Sequence, residues 1–201
     1  MLKLLRRNNA AELQQYLFLH NPTAVLSSPI PDWEPNPGLR WIKNRSNEYF
    51  PIHISCWENQ LELIKIMTEA DPNVLKQRTS KEVVVRKVKN CEFAIDHVSP
   101  FLLASAAGNV SVLEFLYEMD AQSLHMKDLA NQTALHYACD ANENSTIEWL
   151  IQKGINLDDQ NENGWTAVHF ACARGHDSTI KLLKEKGCDI NVKDKGTCCQ
   201  C

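Results

Sequence analysis

The stretch TALHYACDANENSTIEWLIQKG (133–154) recurs 33 residues later as TAVHFACARGHDSTIKLLKEKG (166–187). Both copies open on Thr-Ala-x-His and close on Lys-Gly, and in both a short run of small and apolar residues precedes a second amphipathic segment. This spacing of apolar residues is typical of two consecutive helices. Because two short helices cannot bury their apolar faces alone, we expect successive copies to stack on one another.

Three further segments upstream fit the same frame: SPFLLASAAGNVSVLEFLYEMD (99–120), FPIHISCWENQLELIKIMTEAD (50–71) and, more weakly, LKLLRRNNAAELQQYLFLHN (2–21). The chain must reverse between the two helices of each copy, which favours a residue that tolerates positive φ, such as Gly or Asn. The five copies place Asn9, Asn59, Gly108, Asn142 and Gly175 there. We therefore predict five helix pairs with a left-handed residue at each reversal.

These residues resemble the ankyrin repeat, whose TPLHxAAxxGH opening and LLLxxGADVN ending are similar to TAVHFACARGH (166–176) and LLKEKGCDIN (182–191). A period of about 33 residues is also that of this family. The resemblance implies an all-α solenoid of stacked helix pairs with β-hairpin fingers, in a single domain over residues 1–194. The expected repeats are residues 1–21 (a capping repeat), 48–77, 97–128, 129–160 and 161–194, followed by a Cys-rich tail at 195–201.

Two of the connections between copies are much longer than the others, and we expect them to form long fingers at 22–49 and 72–98. The first contains five prolines with Trp33 and Trp41, which either form an aromatic platform for a partner or clamp the finger onto its own repeats. The second alternates β-branched and polar residues with a turn near Lys89 and Asn90, which predicts a β-hairpin.

The charge of the second finger differs from that of the rest of the array. Residues 72–98 carry six basic and three acidic residues, including Arg86 and Lys87, whereas residues 99–201 carry eight basic and fourteen acidic ones. This basic finger either attracts an acidic strip of a partner or is only a solvated face.

The resemblance also implies where a partner would bind, namely the inner surface built from the first helices and the finger tips. Carried over by position, the first-helix residues there are Trp57, Glu58, Ala106, Ala107, Asp140, Ala141, Ala173 and Arg174. The finger-tip positions are Leu129, Ala130, Gln132, Glu162, Asn163 and Trp165. Trp57 and Trp165 stand out because large exposed aromatic residues are common binding anchors, with packing against the neighbouring finger as the alternative.

Recurring His53, His136 and His169 would brace the turns of an ankyrin array, because the family's histidine hydrogen-bonds the backbone and a nearby Thr. Successive repeats set equivalent residues roughly 8–10 Å apart, too far for a shared metal site or for a disulfide between Cys139 and Cys172. We therefore expect no metal and two buried, reduced thiols at Cys139 and Cys172, as in a reducing compartment.

No motif of a common enzyme class is present in the chain, and the best improvised catalytic pair is Cys91 with His97. We expect no cofactor and no catalysis. The net charge of -4 gives no basic excess for nucleic-acid binding, and no apolar run is long enough to span a membrane. These observations favour a cytoplasmic, monomeric module that binds a protein partner.

The end of the chain leaves several alternatives open. The sequence DKGTCCQC (194–201) starts like another repeat but loses the register after Asp194. Three explanations fit this pattern. The chain is a fragment of a longer repeat protein, it ends natively in a frayed tail, or Cys198, Cys199 and Cys201 are lipidated. The competing function is accordingly a membrane-tethered adaptor, or part of a larger signalling or channel protein, anchored through these cysteines.

Overall fold

The computed structural model describes residues 1–30, 49–79 and 97–193, together with the backbone of 84–88 and 91–95. Eleven α-helices lie within these residues: α1 (Leu2–Arg7), α2 (Ala10–Leu19), α3 (Pro22–Leu26), α4 (Pro51–Trp57), α5 (Leu61–Ala70), α6 (Pro100–Ala106), α7 (Val110–Met119), α8 (Ala134–Ala141), α9 (Asn144–Gln152), α10 (Ala167–Arg174) and α11 (Asp177–Glu185). Short 3₁₀ helices follow α5 and α7, at Pro72–Lys76 and Ala121–His125. Apart from α3, the α-helices form five consecutive pairs, as the sequence predicts.

The reversals between the paired helices use left-handed residues at four of the five predicted positions. Asn59, Gly108, Asn142 and Gly175 have φ angles of 58°, 75°, 65° and 74°. In the first pair the prediction is wrong by one residue: Asn8 has φ 49°, whereas Asn9 is extended and caps α2 by accepting the Glu12 N–H. An Asn serves both roles, so the pattern Asn8-Asn9 does not reveal which residue turns the chain.

The pairs stack in two layers. Each first helix packs on the next, α1 on α4, α4 on α6, α6 on α8 and α8 on α10. In the second layer α2 packs on α5, and α9 packs on both α7 and α11. Every pair contributes a fully buried aliphatic side chain to the continuous core, namely Leu5, Ile64, Leu113, Leu150 and Leu183. Burial of each such side chain stabilises the fold by about 1.5–3 kcal/mol, so adjacent pairs stabilise one another.

Buried histidines join the start of a first helix to the next finger. In α8 the Nδ1 atom of His136 accepts the Thr133 N–H at 3.0 Å, and Nε2 donates to the Trp165 carbonyl at 3.0 Å. His53 does the same for Phe50, at 3.3 Å, and Val98, at 3.1 Å. These two histidines are therefore structural, as predicted.

The residue that follows each reversal, which we call the ladder position, bonds to the C-terminal end of the first helix in the preceding pair. Gln60 Nε2 donates to the Leu5 carbonyl at the end of α1 at 2.6 Å. Asn109 Nδ2 donates to the Cys56 and Trp57 carbonyls of α4, at 2.8 and 2.9 Å. His176 Nε2 donates to the Asp140 carbonyl of α8 at 3.1 Å. At α4 and α8 these bonds supply donors to carbonyls at a helix end, where intrahelical partners run out, and at α1 the Leu5 carbonyl also accepts the Asn8 N–H.

The two long connections are partly described. The second contains the predicted β-hairpin: β1 (Val84–Val88) pairs antiparallel with β2 (Cys91–Ile95), and Val88 lies opposite Cys91. The first begins with α3, which the sequence does not predict and which starts at Pro22. A single bridge between Ile30 and Tyr49 then closes the base of this finger.

The four cysteines whose side chains are described behave in two ways. Cys56, Cys139 and Cys188 are buried free thiols, and burial raises the pKa of all three, that of Cys188 to about 12. Cys172 is only half-buried and is disulfide-bonded, so the expectation of a buried, reduced thiol is wrong for this residue. Because Cys139 is free, Cys139 and Cys172 do not bond to each other, as predicted.

Replacing Gly175 tests the left-handed reversal. We expect Gly175→Ala to lower the free energy of unfolding by about 1 kcal/mol, because its φ of 74° is unfavourable for a residue with a Cβ. No atom lies within 4 Å of the added Cβ, so backbone strain is the whole cost. Gly175→Asn, which copies Asn142, should cost less than half as much in urea denaturation. Equal losses for Ala and Asn would contradict this explanation.

The buried histidines predict a loss of stability in acid. Burial lowers the pKa of His53 to about 3 and that of His136 to about 4, below the ordinary value of 6.5. Between pH 6.5 and these lowered pKa values, the unfolded chain therefore binds more protons than the folded chain. The stabilisation is complete above pH 6.5 and is lost as the pH falls from 6.5 towards 4, by roughly 2–3 kcal/mol for His136.

His136→Leu, which copies Leu102 of the third pair, checks this expectation. At pH 7 the variant should be less stable by about 1–3 kcal/mol, because the Thr133 N–H and the Trp165 carbonyl lose their partner. The difference from wild type should shrink as the pH falls to 4.5. Burial raises the pKa of Asp128 to about 6, which acts in the opposite direction, but this effect cancels when both proteins are compared at the same pH. A pH-independent difference in urea denaturation would show that His136 is not the acid-sensitive group.

Candidate partner-binding surface

The candidate surface consists of the C-terminal ends of the first helices and the tips of the fingers between consecutive pairs. The first helices present their ends side by side because each packs directly on the next. The fingers between the third, fourth and fifth pairs are short turns over residues 127–132 and 160–165.

Trp165 does not lie on this surface. Its side chain is fully buried, with the indole stacked on His169 at 6.0 Å between ring centroids and edge-on to Phe170 at 5.2 Å. Its backbone N–H also donates to Asn161 Oδ1 at 2.9 Å. The expectation of a solvent-facing indole is therefore wrong, because the finger turns Trp165 inward under the start of α10.

Trp57 is also buried, with 8% of its surface exposed. It ends α4 and belongs to the hydrophobic core, and its carbonyl accepts the amide of Asn109. The expectation that Trp57 faces solvent is wrong for the same reason: neighbouring elements cover it. Ala106 and Asp140, which the resemblance places on the same surface, are buried too, whereas Glu58 and Arg174 are exposed.

Asp140 and Arg174, which lie near the ends of the first helices of consecutive pairs, form an ion pair. Arg174 Nε donates to Asp140 Oδ1 at 2.9 Å, and the Arg174 and Asp140 side chains are 31% and 1% exposed. Charge-assisted hydrogen bonds of this kind are stronger than neutral ones, and removing one partner of a buried charge is costly. The pair therefore holds α8 and α10 in register and fixes the position of the Arg174 side chain at the surface.

The two short fingers share one turn geometry, 33 residues apart. Asp128 Oδ1 accepts the Ala130 and Gln132 N–H groups at 3.0 and 2.7 Å. Asn161 Oδ1 accepts the Asn163 N–H at 3.0 Å and the Trp165 N–H at 2.9 Å in the same way. Side chains that accept backbone N–H groups two and four residues on stabilise such turns locally.

At the tips of these turns some side chains face solvent and others do not. Leu129 is 48% exposed, and Glu162 and Asn163 are exposed. Ala130 and Gln132, also expected at the tip, are buried, and Gln132 donates to Asp128 Oδ2 at 2.8 Å. The Glu162 N–H donates to the Ala130 carbonyl at 3.0 Å, which joins one finger tip to the next.

Several predicted residues lie outside the part of the chain whose side chains are described. Trp33 and Trp41 fall within 31–48, and Cys198, Cys199 and Cys201 fall within 194–201. Arg86 and Lys87 are described only as backbone in β1, opposite Phe93 and Glu92. Their roles, the aromatic platform, the basic finger and the lipidated tail, remain predictions.

The chemistry available to the described residues is limited. Among residues 1–30, 49–79 and 97–193, no cluster of His, Cys, Asp and Glu has the arrangement of a metal site. Within the same residues no helix has both the length and the hydropathy needed to cross a membrane. Burial holds the thiols of Cys56, Cys139 and Cys188 in the protonated form, which is poorly nucleophilic.

The ladder positions were not predicted from the sequence. Their common signal is simple, since each follows a predicted reversal residue directly, as Gln60 follows Asn59 and Glu143 follows Asn142. Three of the four ladder positions described in the second to fifth pairs carry a hydrogen-bond donor, and Glu143 does not. The sequence shows that Glu143 differs from the other three residues, but only the contacts between pairs show that those three donate to the preceding first helix.

A family model for ankyrin repeats, in three copies, matches residues 101–194. This range holds the third, fourth and fifth helix pairs and confirms the resemblance for them. No curated protein matches the chain significantly.

The burial of Trp165 leads to a stability prediction. We expect Trp165→Ala to lower the free energy of unfolding by about 3–5 kcal/mol, because it empties a space enclosed by His169 and Phe170. Phe18→Ala is the matched control, because Phe18 is 88% exposed and its removal should cost less than about 0.5 kcal/mol. Similar chemical-denaturation midpoints for the two variants would contradict the buried position of Trp165.

Proposed function

Because residues 101–194 of this chain are ankyrin repeats, we propose that it is a non-catalytic module that binds a partner protein through its finger tips and the ends of its first helices. Ankyrin repeats are generally protein–protein interaction modules and typically have no catalytic activity. The partner and the surface it uses are the parts of this proposal that go beyond the family.

Leu129 is the observation that carries the choice of surface. A leucine with about half of its side chain in water, at the tip of a short turn, gains stability when a partner covers it. The turn beneath it is held by Asp128, which accepts the Ala130 and Gln132 N–H groups. Because the turn is already ordered, a partner that covers Leu129 loses little free energy in fixing it.

Polar groups of the next finger and of the next helix pair support the same surface. The next finger presents Glu162 and Asn163, and its backbone is bonded to the Leu129 finger through Ala130. Arg174 lies in the last described pair, held by Asp140. An apolar anchor with charged and amide groups around it is the usual composition of a protein interface.

Other aspects of the proposal follow from the sequence. We propose a cytoplasmic monomer that binds no nucleic acid, with Trp33, Trp41, Arg86 and Lys87 contributing to partner binding from the long fingers. An acidic partner strip would complement the basic second finger. Anchoring through Cys198, Cys199 and Cys201 is the competing prediction, and detergent partition of the chain with and without these cysteines distinguishes the two.

Affinity capture with a matched pair of variants tests the surface. Leu129→Ser should reduce recovery of the partner at least fivefold, because it removes an apolar contact at the finger tip. Met119→Ser is the control: Met119 is 50% exposed, as much as Leu129, but lies at the end of the second-layer helix α7. Recovery is measured by quantitative mass spectrometry of captured proteins.

The comparison can also refute the proposed surface. If both variants retain the partners of the wild-type chain, Leu129 is not an anchor. If only Met119→Ser loses them, the second layer of helices carries the binding site instead. Circular dichroism should show the same helical signal and melting temperature for all three proteins, because both side chains are exposed.

A further inference from the structure

The fourth helix pair departs from the pattern of the ladder positions. Gln60, Asn109 and His176 each donate a hydrogen bond to a carbonyl at the end of the preceding first helix. The corresponding residue of the fourth pair is Glu143, which faces the end of α6. A carboxylate only accepts hydrogen bonds, so it cannot do for α6 what the other three residues do for α1, α4 and α8.

The surroundings of Glu143 leave both sides of this junction without a partner. Among the described residues the Glu143 carboxylate receives no hydrogen bond and forms no ion pair. The carbonyl of Ala106, which corresponds in register to those of Trp57 and Asp140, likewise receives no donor from another element in the described part of the chain. This junction therefore offers two acceptors and no donor, whereas each of the other three described junctions pairs a donor with an acceptor.

The position of the carboxyl group is set by a glycine. A Cβ built on Gly108 would lie 2.7 Å from Cδ of Glu143 and would overlap with Oε2. Gly108 thus leaves room for the carboxyl group directly beside the reversal that follows α6. Ala107, Gly108, Asn109 and Glu143 are all partly exposed, so the junction is accessible from solvent.

Two basic residues of the following pair bond to Asp140 and not to Glu143. Arg174 binds the Asp140 carboxylate, and His176 binds the Asp140 carbonyl. Burial without a compensating charge raises the pKa of Glu143, which is the expected direction for a carboxylate that nothing neutralises. A donor brought from outside the chain would satisfy the carboxylate and the carbonyl together.

We propose that the junction of Glu143 with the end of α6 is a binding site for a cationic side chain, a lysine or arginine of the partner protein. The ammonium or guanidinium group would pair with the Glu143 carboxylate and donate to the Ala106 carbonyl, where carbonyls at a helix end favour positive charge. This inference rests on the proposed function as a partner-binding module. It adds a basic residue of the partner to the apolar contact at Leu129.

Titration of the isotope-labelled full chain with a small cationic peptide tests the site. The probe is acetyl-Gly-Lys-Gly-amide, and the control is the same peptide with norleucine in place of lysine. We expect the lysine peptide to shift the amide resonances of residues 106–109 and the side-chain carboxyl resonance of Glu143, with saturation in the millimolar range. The norleucine peptide should leave these resonances in place.

Two variants separate the site from the general charge of the protein. Glu143→Gln should weaken lysine-peptide binding at least fivefold, and it should remain folded, because the new amide can donate to the Ala106 carbonyl as Gln60 does to that of Leu5. Glu148→Gln removes the same charge from an exposed position of α9 and should bind as the wild type does.

Three results would overturn the inference: no difference between the lysine and norleucine peptides, unchanged binding in Glu143→Gln, or a Glu143 carboxyl group that is still protonated at pH 7. The last would mean that a proton, and not a cationic partner, joins the two acceptors. Failure of this site is distinguishable from failure of the proposed function. The loss of captured partner in Leu129→Ser does not depend on Glu143, and lysine-peptide binding does not depend on a captured partner.

Discussion

The stack depends on satisfying the polar ends of very short helices. The first helices have six to eight residues, so most of their backbone N–H and carbonyl groups lie within one turn of an end and have no partner inside the helix. At the start a histidine of the same helix supplies the partner, as His136 does for the Thr133 N–H. At the end the following pair supplies it through a ladder residue, as Asn109 does for the Cys56 carbonyl. Hydrophobic burial holds the pairs together, but these directional bonds set how far one pair is displaced along the next.

This constraint also explains where function is available. Buried side chains such as His136 and Trp165 hold the fold together and cannot vary without loss of stability. The finger tips are different, because Asp128 and Asn161 hold the backbone of the turns and an exposed side chain at the tip is not needed for that geometry. Leu129 is such a position. Glu143 is the exception among the described ladder residues, because it donates no hydrogen bond to the preceding first helix. For this reason we infer a binding role for it and not a structural one.

Much of the fold follows from local sequence. The 33-residue period, the apolar spacing and the Gly or Asn residues predict the helix pairs, four of the five reversals and the hairpin of the second finger, because each depends on backbone preferences of nearby residues. The error at Asn9 has the same origin, since two adjacent asparagines are locally equivalent. Helix α3 escaped prediction because five residues carry too little periodicity to be recognised.

The candidate site was predicted less well than the fold. Local pattern places Glu162, Asn163 and Arg174 at the surface, and the structure agrees. By itself the sequence determined that this chain repeats and where it turns, since these properties belong to stretches of a few residues. Only the tertiary structure decided that Trp57 and Trp165 are buried, that Asp140 pairs with Arg174 and that Glu143 faces the end of α6. Trp165 is enclosed by His169 and Phe170 of its own repeat, which only the folded turn brings together. The other contacts depend on residues from a neighbouring pair, and a residue's position within its own repeat does not specify what the next repeat places against it.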